Sequence, residues 1–331
     1  MKRFAVVFTC TQGFIEQVAS LCNGLERYGN DVDIHIVSEN LDKEFIKALP
    51  EGYYVPDWND IAEKDWSQAN SVKRSGWQVR FYRYKHALTL TGYEAVMTVD
   101  ADTFVCGNLM EHFAHVVKTG EIVMAYNPRS IGEVRMKQIE TEYHKDGDTD
   151  LTRPVSTLEG AASPAFHSHM IFWSPTVHKH LFEQVYQWGL KEPYGDMATI
   201  ARTLVREKAV DLVKVLPNAP YCFINPFEEK VLESEAEDGS PILTSEKTGE
   251  PFRLIHGRWW HGTFRRKQIA EFKATWARPV IVYNTPIILK TMRKLNEIGR
   301  IKWEPYASET EQAKWFRDWV YTGTESLLTD I

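Results

Sequence analysis

Short apolar runs and longer amphipathic stretches take turns along this chain, and the switches between the two periods outline its elements. The first run, Phe4 to Phe8, is too short for a helix of ordinary length and predicts a buried strand. A loop, Thr9-Cys10-Thr11-Gln12-Gly13, leads into a helical pattern from Phe14 to Tyr28. There Ile15, Val18, Ala19, Cys22 and Leu25 recur at three- and four-residue steps, with Gly29 placed as a stop. A second strand, Val32 to Val37, completes a βαβ unit, which predicts parallel pairing. Residues 50–76 lack periodicity and read as a long loop. From Ser75 to Thr91 the pattern is helical and cationic, and it runs straight into the strand Ala95 to Val99.

Beyond that strand the pattern predicts a helix near Leu109 to Lys118 and a strand from Glu121 to Tyr126. Residues 127–164 are polar and rich in Gly, Thr and Pro, as expected of an insertion or acceptor loop. A central strand over residues 165–176 precedes helices over Val177 to Leu190 and from Asp196 through Glu207. Strand Val213 to Leu216 follows, then an acidic excursion over 228–251 and a short apolar strand ending at His256. From Ala270 onward the chain reads as helical. The expected class is α/β, a mixed, mainly parallel sheet flanked by helices with a C-terminal helical extension.

Composition narrows the functional classes. A chain of 331 residues that is 43% apolar can bury a sizeable core, and a net charge of −6 argues against a general nucleic-acid binder. No apolar run approaches the roughly 18 residues of a membrane span, and MKRFAVVF reads as a first strand rather than a leader. The four cysteines, Cys10, Cys22, Cys106 and Cys222, show no paired metal spacing and suit reduced thiols. A cytoplasmic location is the expectation.

Candidate chemistry concentrates where the fourth apolar run ends, in Asp100-Ala101-Asp102. Carboxyl ends of strands are the ligand-binding edge of open α/β sheets, and alternation turns Asp100 and Asp102 the same way. Such a pair suits a hard cation, Mg²⁺ or Mn²⁺, shared with substrate phosphates. The plain alternative is two carboxylates in a surface turn. A phosphatase built on an Asp-x-Asp fits less well, because Phe104 stands at the fifth motif position and a hundred residues precede the motif. After the first strand there is no Gly-x-Gly-x-x-Gly, which disfavours a dinucleotide.

Asp-Ala-Asp-Thr followed by Phe104-Val105 and Gly107-Asn108-Leu109 resembles the metal motif of GT-A glycosyltransferases. Among these the retaining lipopolysaccharide galactosyltransferase and glycogenin-like enzymes fit best. The resemblance spans roughly residues 4 to 262 through ordered features rather than one block. It implies a catalytic domain over 1–262, with a nucleotide-sugar half (1–126) and an acceptor half (127–262), and an extension over 263–331. Thr9, Cys10 and Thr11 would lie in the base-and-ribose loop, although such hydroxyls equally often only cap the next helix. Arg83, with Lys85 second, would contact the donor, and Ala101 would lie beside it; a solvated basic helix face is the alternative. Asp100, Asp102 and His256 would ligate the cation, with His261 as rival to His256.

Two departures stand out. His167 and His169 flank Ser168 where the family commonly has Asn and Gly, and the Lys-Pro-Trp expected after the late His is absent, leaving Arg258, Arg265 or Arg266 for the diphosphate. His169 and Asp196 are the candidate catalytic groups; buried core and helix capping are their structural alternatives. The implied cofactors are Mn²⁺ or Mg²⁺ and a nucleotide-sugar donor, a UDP-sugar first. The implied acceptor is a saccharide or lipid-linked sugar. The Arg- and Trp-rich turn at 258–267 and the basic segment 284–303 leave room for DNA bearing a hydroxylated base. Two rival functions stay open: a metal-dependent phosphohydrolase or nucleotidyltransferase on the same acids, and a non-catalytic sugar-nucleotide binder.

Overall fold

The structure, a computed structural model, describes residues 2–10, 21–22, 24–26, 28–38, 41, 46, 49, 51–61, 79–101, 103–130, 164–191, 196–216, 221, 231–235, 241–245 and 248–256. Within them the chain divides into two compact units that interleave in sequence. One comprises Met1–Thr9, Pro56–Val99 and Glu111–Asn218; the other comprises Cys10–Val55, Asp100–Met110 and the chain from Ala219.

The first unit carries β1 (Phe4–Thr9), β4 (Ala95–Val99), β6 (Ile122–Ser130), β7 (Pro164–Trp173) and β8 (Val213–Leu216), paired in the order β1-β4-β7-β6-β8. Pairing of β1 with β4 and of β6 with β8 is parallel, whereas β7 runs antiparallel to both of its neighbours. Central strands buried on both faces have no reason to alternate, and β4 is buried at all five positions. Its predicted bounds coincide with the observed ones. Helices α1 (Tyr82–Thr89), α2 (Met110–Thr119), α3 (Lys179–Lys191) and α4 (Asp196–Arg206) accompany the strands; the last three lie within two residues of their expected bounds, whereas α1 covers only part of the Ser75 to Thr91 pattern and follows a 3₁₀ turn at Val79–Phe81. Gly120 follows α2 with φ +72°, the left-handed conformation that ends a helix at low cost only in glycine.

Aromatic packing locks α1 and α3 to the sheet. Trp173 of β7 stacks on Phe182 with centroids 3.8 Å apart, Phe182 stacks on Tyr84 at 5.7 Å, and the Trp173 indole N–H reaches the Thr98 hydroxyl at 3.4 Å. Each such ring removes a large apolar area from water, and offset or tilted pairs add about 0.5–1.5 kcal/mol beyond it.

In the second unit β2 (Asp33–Val37) pairs in parallel with a short β3 (Tyr53–Tyr54). Gly29 takes φ +66° after the helical residues 24–26, as its place in the sequence anticipates. Two expectations are corrected here. Residues 51–61 are not plain loop, since they contain β3 and a helical turn at 58–61. The acidic excursion contains an antiparallel pair, β9 (Val231–Glu235) and β10 (Pro241–Ser245), in which Val231 is opposed to Ser245 and Glu235 to Pro241, so backbone pairing forms a ladder despite the acidic composition. The C-terminal extension, 263–331, and most of the expected acceptor loop lie outside the described residues. No helix among the described residues is long and apolar enough to cross a membrane.

Candidate active site

Immediately after β4 the chain enters the second unit at Asp100, turns at Ala101 and continues as β5 (Thr103–Val105). A distant segment, β11 (Leu254–His256), adds to β5 in antiparallel register: Leu254 faces Val105, Ile255 faces Phe104 and His256 faces Thr103. Leu254 and Ile255 are fully buried, so the apolar run anchors the strand and delivers His256 at its end. The Cys106 N–H extends the ladder to the Arg253 carbonyl at 2.9 Å. Gly107 allows that approach, for a Cβ there would lie 2.6 Å from the Arg253 side chain and 3.3 Å from its Cα.

This pairing sets His256 Nε2 3.4 Å from Asp100 Oδ2, with the two side chains 19% and 12% exposed. A partly buried imidazole facing a partly buried carboxylate forms an ion pair when protonated, and the same two atoms offer lone pairs to a cation when it is not. Two ligands about 2.1 Å from one ion and at right angles lie about 3 Å apart, so this separation suits a shared divalent ion. Beside them Thr103 is 1% exposed, and its hydroxyl has no hydrogen-bond partner among the described residues. The donor set of carboxylate and imidazole fits Mn²⁺ or Mg²⁺. No cluster of three or more His, Cys, Asp or Glu suited to a metal occurs among the described residues; Asp102, the expected third ligand, lies outside them.

Asparagines brace the turn behind β5. Asn30 donates to the Leu25 and Gly107 carbonyls at 3.2 and 3.3 Å and accepts the Leu109 N–H at 2.6 Å. Asn108 donates to the carbonyls of Tyr28 and Gly29. Cys10 is buried in this unit, its N–H bonded to the Val37 carbonyl at 2.9 Å.

The first unit holds a separate polar cluster around Arg83. Helix α1 carries the guanidinium into the interior, where it is 0% exposed. There it donates to the carboxylate of Asp196 at 2.7 Å, to the carbonyls of Val99 and Ser168, each at 3.1 Å, and to the Tyr84 hydroxyl at 3.0 Å. Both carbonyls have a local origin. Strand β4 stops at Val99, and β7 shifts register against β6, its partner residues jumping from Ile171 to His167 while β6 advances from Met124 to Ala125. Ser168 therefore falls in the bulge, and its carbonyl turns to Arg83. Asp196 opens α4, accepts the Met197 N–H at 3.0 Å, and lies 4.0 Å from the half-exposed Arg80.

The remaining candidates are placed as follows. His169 is buried on β7, its ring centroid 5.1 Å from that of the partly exposed His167, as two residues on one face of a strand should be. Lys85 donates to the Ile61 carbonyl at 2.5 Å and lies 5.4 Å from the centre of the Tyr186 ring. Thr9 ends β1. Thr11, Arg258, His261, Arg265 and Arg266 lie outside the described residues. Sequence reasoning missed the β5–β11 pairing, whose signal is the Thr-Phe-Val run directly behind the acids, and it missed the Ser168 carbonyl, a backbone group that no residue type announces.

The apo structure of WbbM, a bifunctional glycosyltransferase, matches 88% of this chain and 52% of its own at 11% identity and a TM-score of 0.50. The chain has the fold of the GT-A glycosyltransferases. The galactosyltransferase LgtC in complex with donor and acceptor sugar analogues matches 93% of this chain and 99% of its own, at 12% identity and a TM-score of 0.49. Apo mouse xyloside xylosyltransferase 1 matches 67% and 87%, at 14% identity and a TM-score of 0.44. No family model matches the sequence, and no curated protein matches it significantly. At such identities the shared property is the fold.

Proposed function

We propose that the chain is a metal-dependent glycosyltransferase that moves a sugar from a nucleotide-diphosphate donor, a UDP-sugar first, to a hydroxyl acceptor. The observation that carries this reading is the β5–β11 pairing, which joins His256 to Asp100 across 156 positions of sequence at the mouth of an Asp-x-Asp motif. A phosphatase-like use of the two acids does not call for a late histidine on a strand of its own.

In this reading Asp100, Asp102 and His256 hold Mn²⁺ or Mg²⁺. When bound, the cation neutralises the charge that develops on the departing nucleoside diphosphate. The chain's own task is to hold the ligands in place and to keep strong bases away from the sugar. Asp196 supports transfer with retention: both its oxygens are engaged, one by Arg83 and one by the Met197 N–H, so it is not poised to take a proton from an acceptor. Inversion needs such a base. His169, buried near the Ser168 carbonyl, is the remaining candidate for contact with the reacting sugars. The acceptor we favour is a saccharide or lipid-linked sugar; DNA bearing a hydroxylated base is the second reading, resting on the basic 258–267 and 284–303 segments. A cytoplasmic location and the division at residue 262 belong to the same proposal.

Calorimetric titration with nucleoside diphosphates, with and without Mn²⁺, tests it. The expected result is Mn²⁺-dependent binding of UDP that His256→Ala weakens at least tenfold. Binding indifferent to Mn²⁺ and to His256, or phosphate release from simple esters with no sugar donor, contradicts it.

A further inference from the structure

Thr103 is the first residue of β5 and the cross-strand partner of His256. Directly opposed residues of an antiparallel pair project from the same face, with Cβ atoms about 4.5–5.5 Å apart, so this hydroxyl is carried on the same face as the imidazole. It is buried, and no described group satisfies it. That is an unfavourable way to bury a side chain. A buried hydroxyl without a partner loses its hydration for nothing, and valine fills the same volume and suits a strand better. The neighbouring positions of the pairing, Val105, Leu254 and Ile255, are all apolar and fully buried, so the single hydroxyl sits at the one rung that carries the candidate metal ligand.

Building on the metal site proposed above, we infer that Thr103 is a positioning residue for His256. Its hydroxyl accepts a hydrogen bond from the imidazole N–H on the side away from Asp100 once a cation is bound. His256 Nε2 is the nitrogen that faces Asp100. A ligating imidazole must present its lone pair there and carry its proton on the other nitrogen, Nδ1. An oxygen beside Nδ1–H fixes that tautomer and the ring plane together, which is the usual task of the outer shell around a metal-bound histidine. The hydroxyl, which no described group satisfies, finds its partner in that contact.

Mn²⁺ itself is the probe, added without nucleotide and followed by electron paramagnetic resonance, with imidazole nitrogen coupling as a second readout. Wild type, Thr103→Val, Thr103→Ser and His256→Ala are compared in the full chain, with thermal melting of each in EDTA. Thr103→Val is expected to weaken Mn²⁺ at least tenfold and to alter the nitrogen coupling, while melting no lower than wild type. Thr103→Ser is expected to stay within about threefold of wild type, since it keeps the oxygen. Should valine fail to fold, Thr103→Ala carries the same comparison against serine. If His256→Ala loses Mn²⁺ but removal of the Thr103 hydroxyl does not, the inference is wrong and the metal site stands. If wild type binds no Mn²⁺, or His256→Ala binds it unchanged, the metal reading itself falls and takes this inference with it.

Discussion

Replacing Asp196 by alanine strands a guanidinium in the interior of the first unit. Arg83 is 0% exposed and Asp196 5%, with 2.7 Å between the charged atoms, so water does not make good the loss. Removing one partner of a buried ion pair costs about 3–5 kcal/mol, because the survivor stays desolvated and unneutralised. Two features set the size here. The guanidinium keeps three neutral acceptors, the carbonyls of Val99 and Ser168 and the Tyr84 hydroxyl, which pulls the loss toward the lower end. The Met197 N–H at the start of α4 also loses its acceptor, which adds about 1 kcal/mol. Asp196→Ala is therefore expected to cost about 4 kcal/mol, and Asp196→Asn, which keeps an oxygen for both donors, about half that. A double variant, Arg83→Met with Asp196→Leu, removes both charges and is expected to be more stable than Asp196→Ala alone. Equilibrium urea unfolding, followed by tryptophan fluorescence, supplies the numbers. Should Asp196→Ala cost under 1 kcal/mol, or the two sites prove additive, the pair is not the buried, mutually dependent unit described here.

Two further outcomes follow from particular buried positions. Burial lowers the pKa of His86 from 6.5 to about 4 and pushes His178 in the same direction. Below pH 6.5 the unfolded chain takes up protons that the folded one refuses, so stability is full above 6.5 and falls as pH drops toward 4; His86 contributes about 3 kcal/mol over that window. Urea unfolding at a series of pH values should show the slope, and His86→Leu should flatten it; an unchanged slope sinks the assignment. At Gly189 of α3 an added Cβ would overlap the ring of Phe81, so Gly189→Ala should lower the melting temperature although alanine gains about 1 kcal/mol in helix propensity. Melting at or above wild type would mean that Phe81 gives way freely.

The order of elements was legible because central strands here are continuous apolar runs and the helices keep their period. Ala95–Val99 and Val213–Leu216 needed no tertiary information at all. The pairing of Val231–Glu235 with Pro241–Ser245 was not legible, since the acidic composition hides a ladder that only pairing reveals. Of the candidate site, the sequence displayed the acids and His256 separately, each at the end of an apolar run. What it could not display was the register that opposes His256 to Thr103, or a guanidinium held by two backbone carbonyls, because registers and carbonyls are properties of the fold rather than of residue type. Arg83 illustrates the gap: its place before the acids was plain, and its burial was not.

Turnover of a nucleotide-sugar donor tests the central claim most directly. Release of nucleoside diphosphate should be followed across a donor panel in Mn²⁺ and in EDTA, for wild type beside Asp100→Ala and Asp102→Ala. The account predicts slow hydrolysis of one donor that EDTA abolishes and that each variant reduces at least a hundredfold, as loss of a metal ligand that stabilises the leaving group should. Hydrolysis that persists in EDTA and in both variants, or no turnover of any donor by wild type, would contradict it.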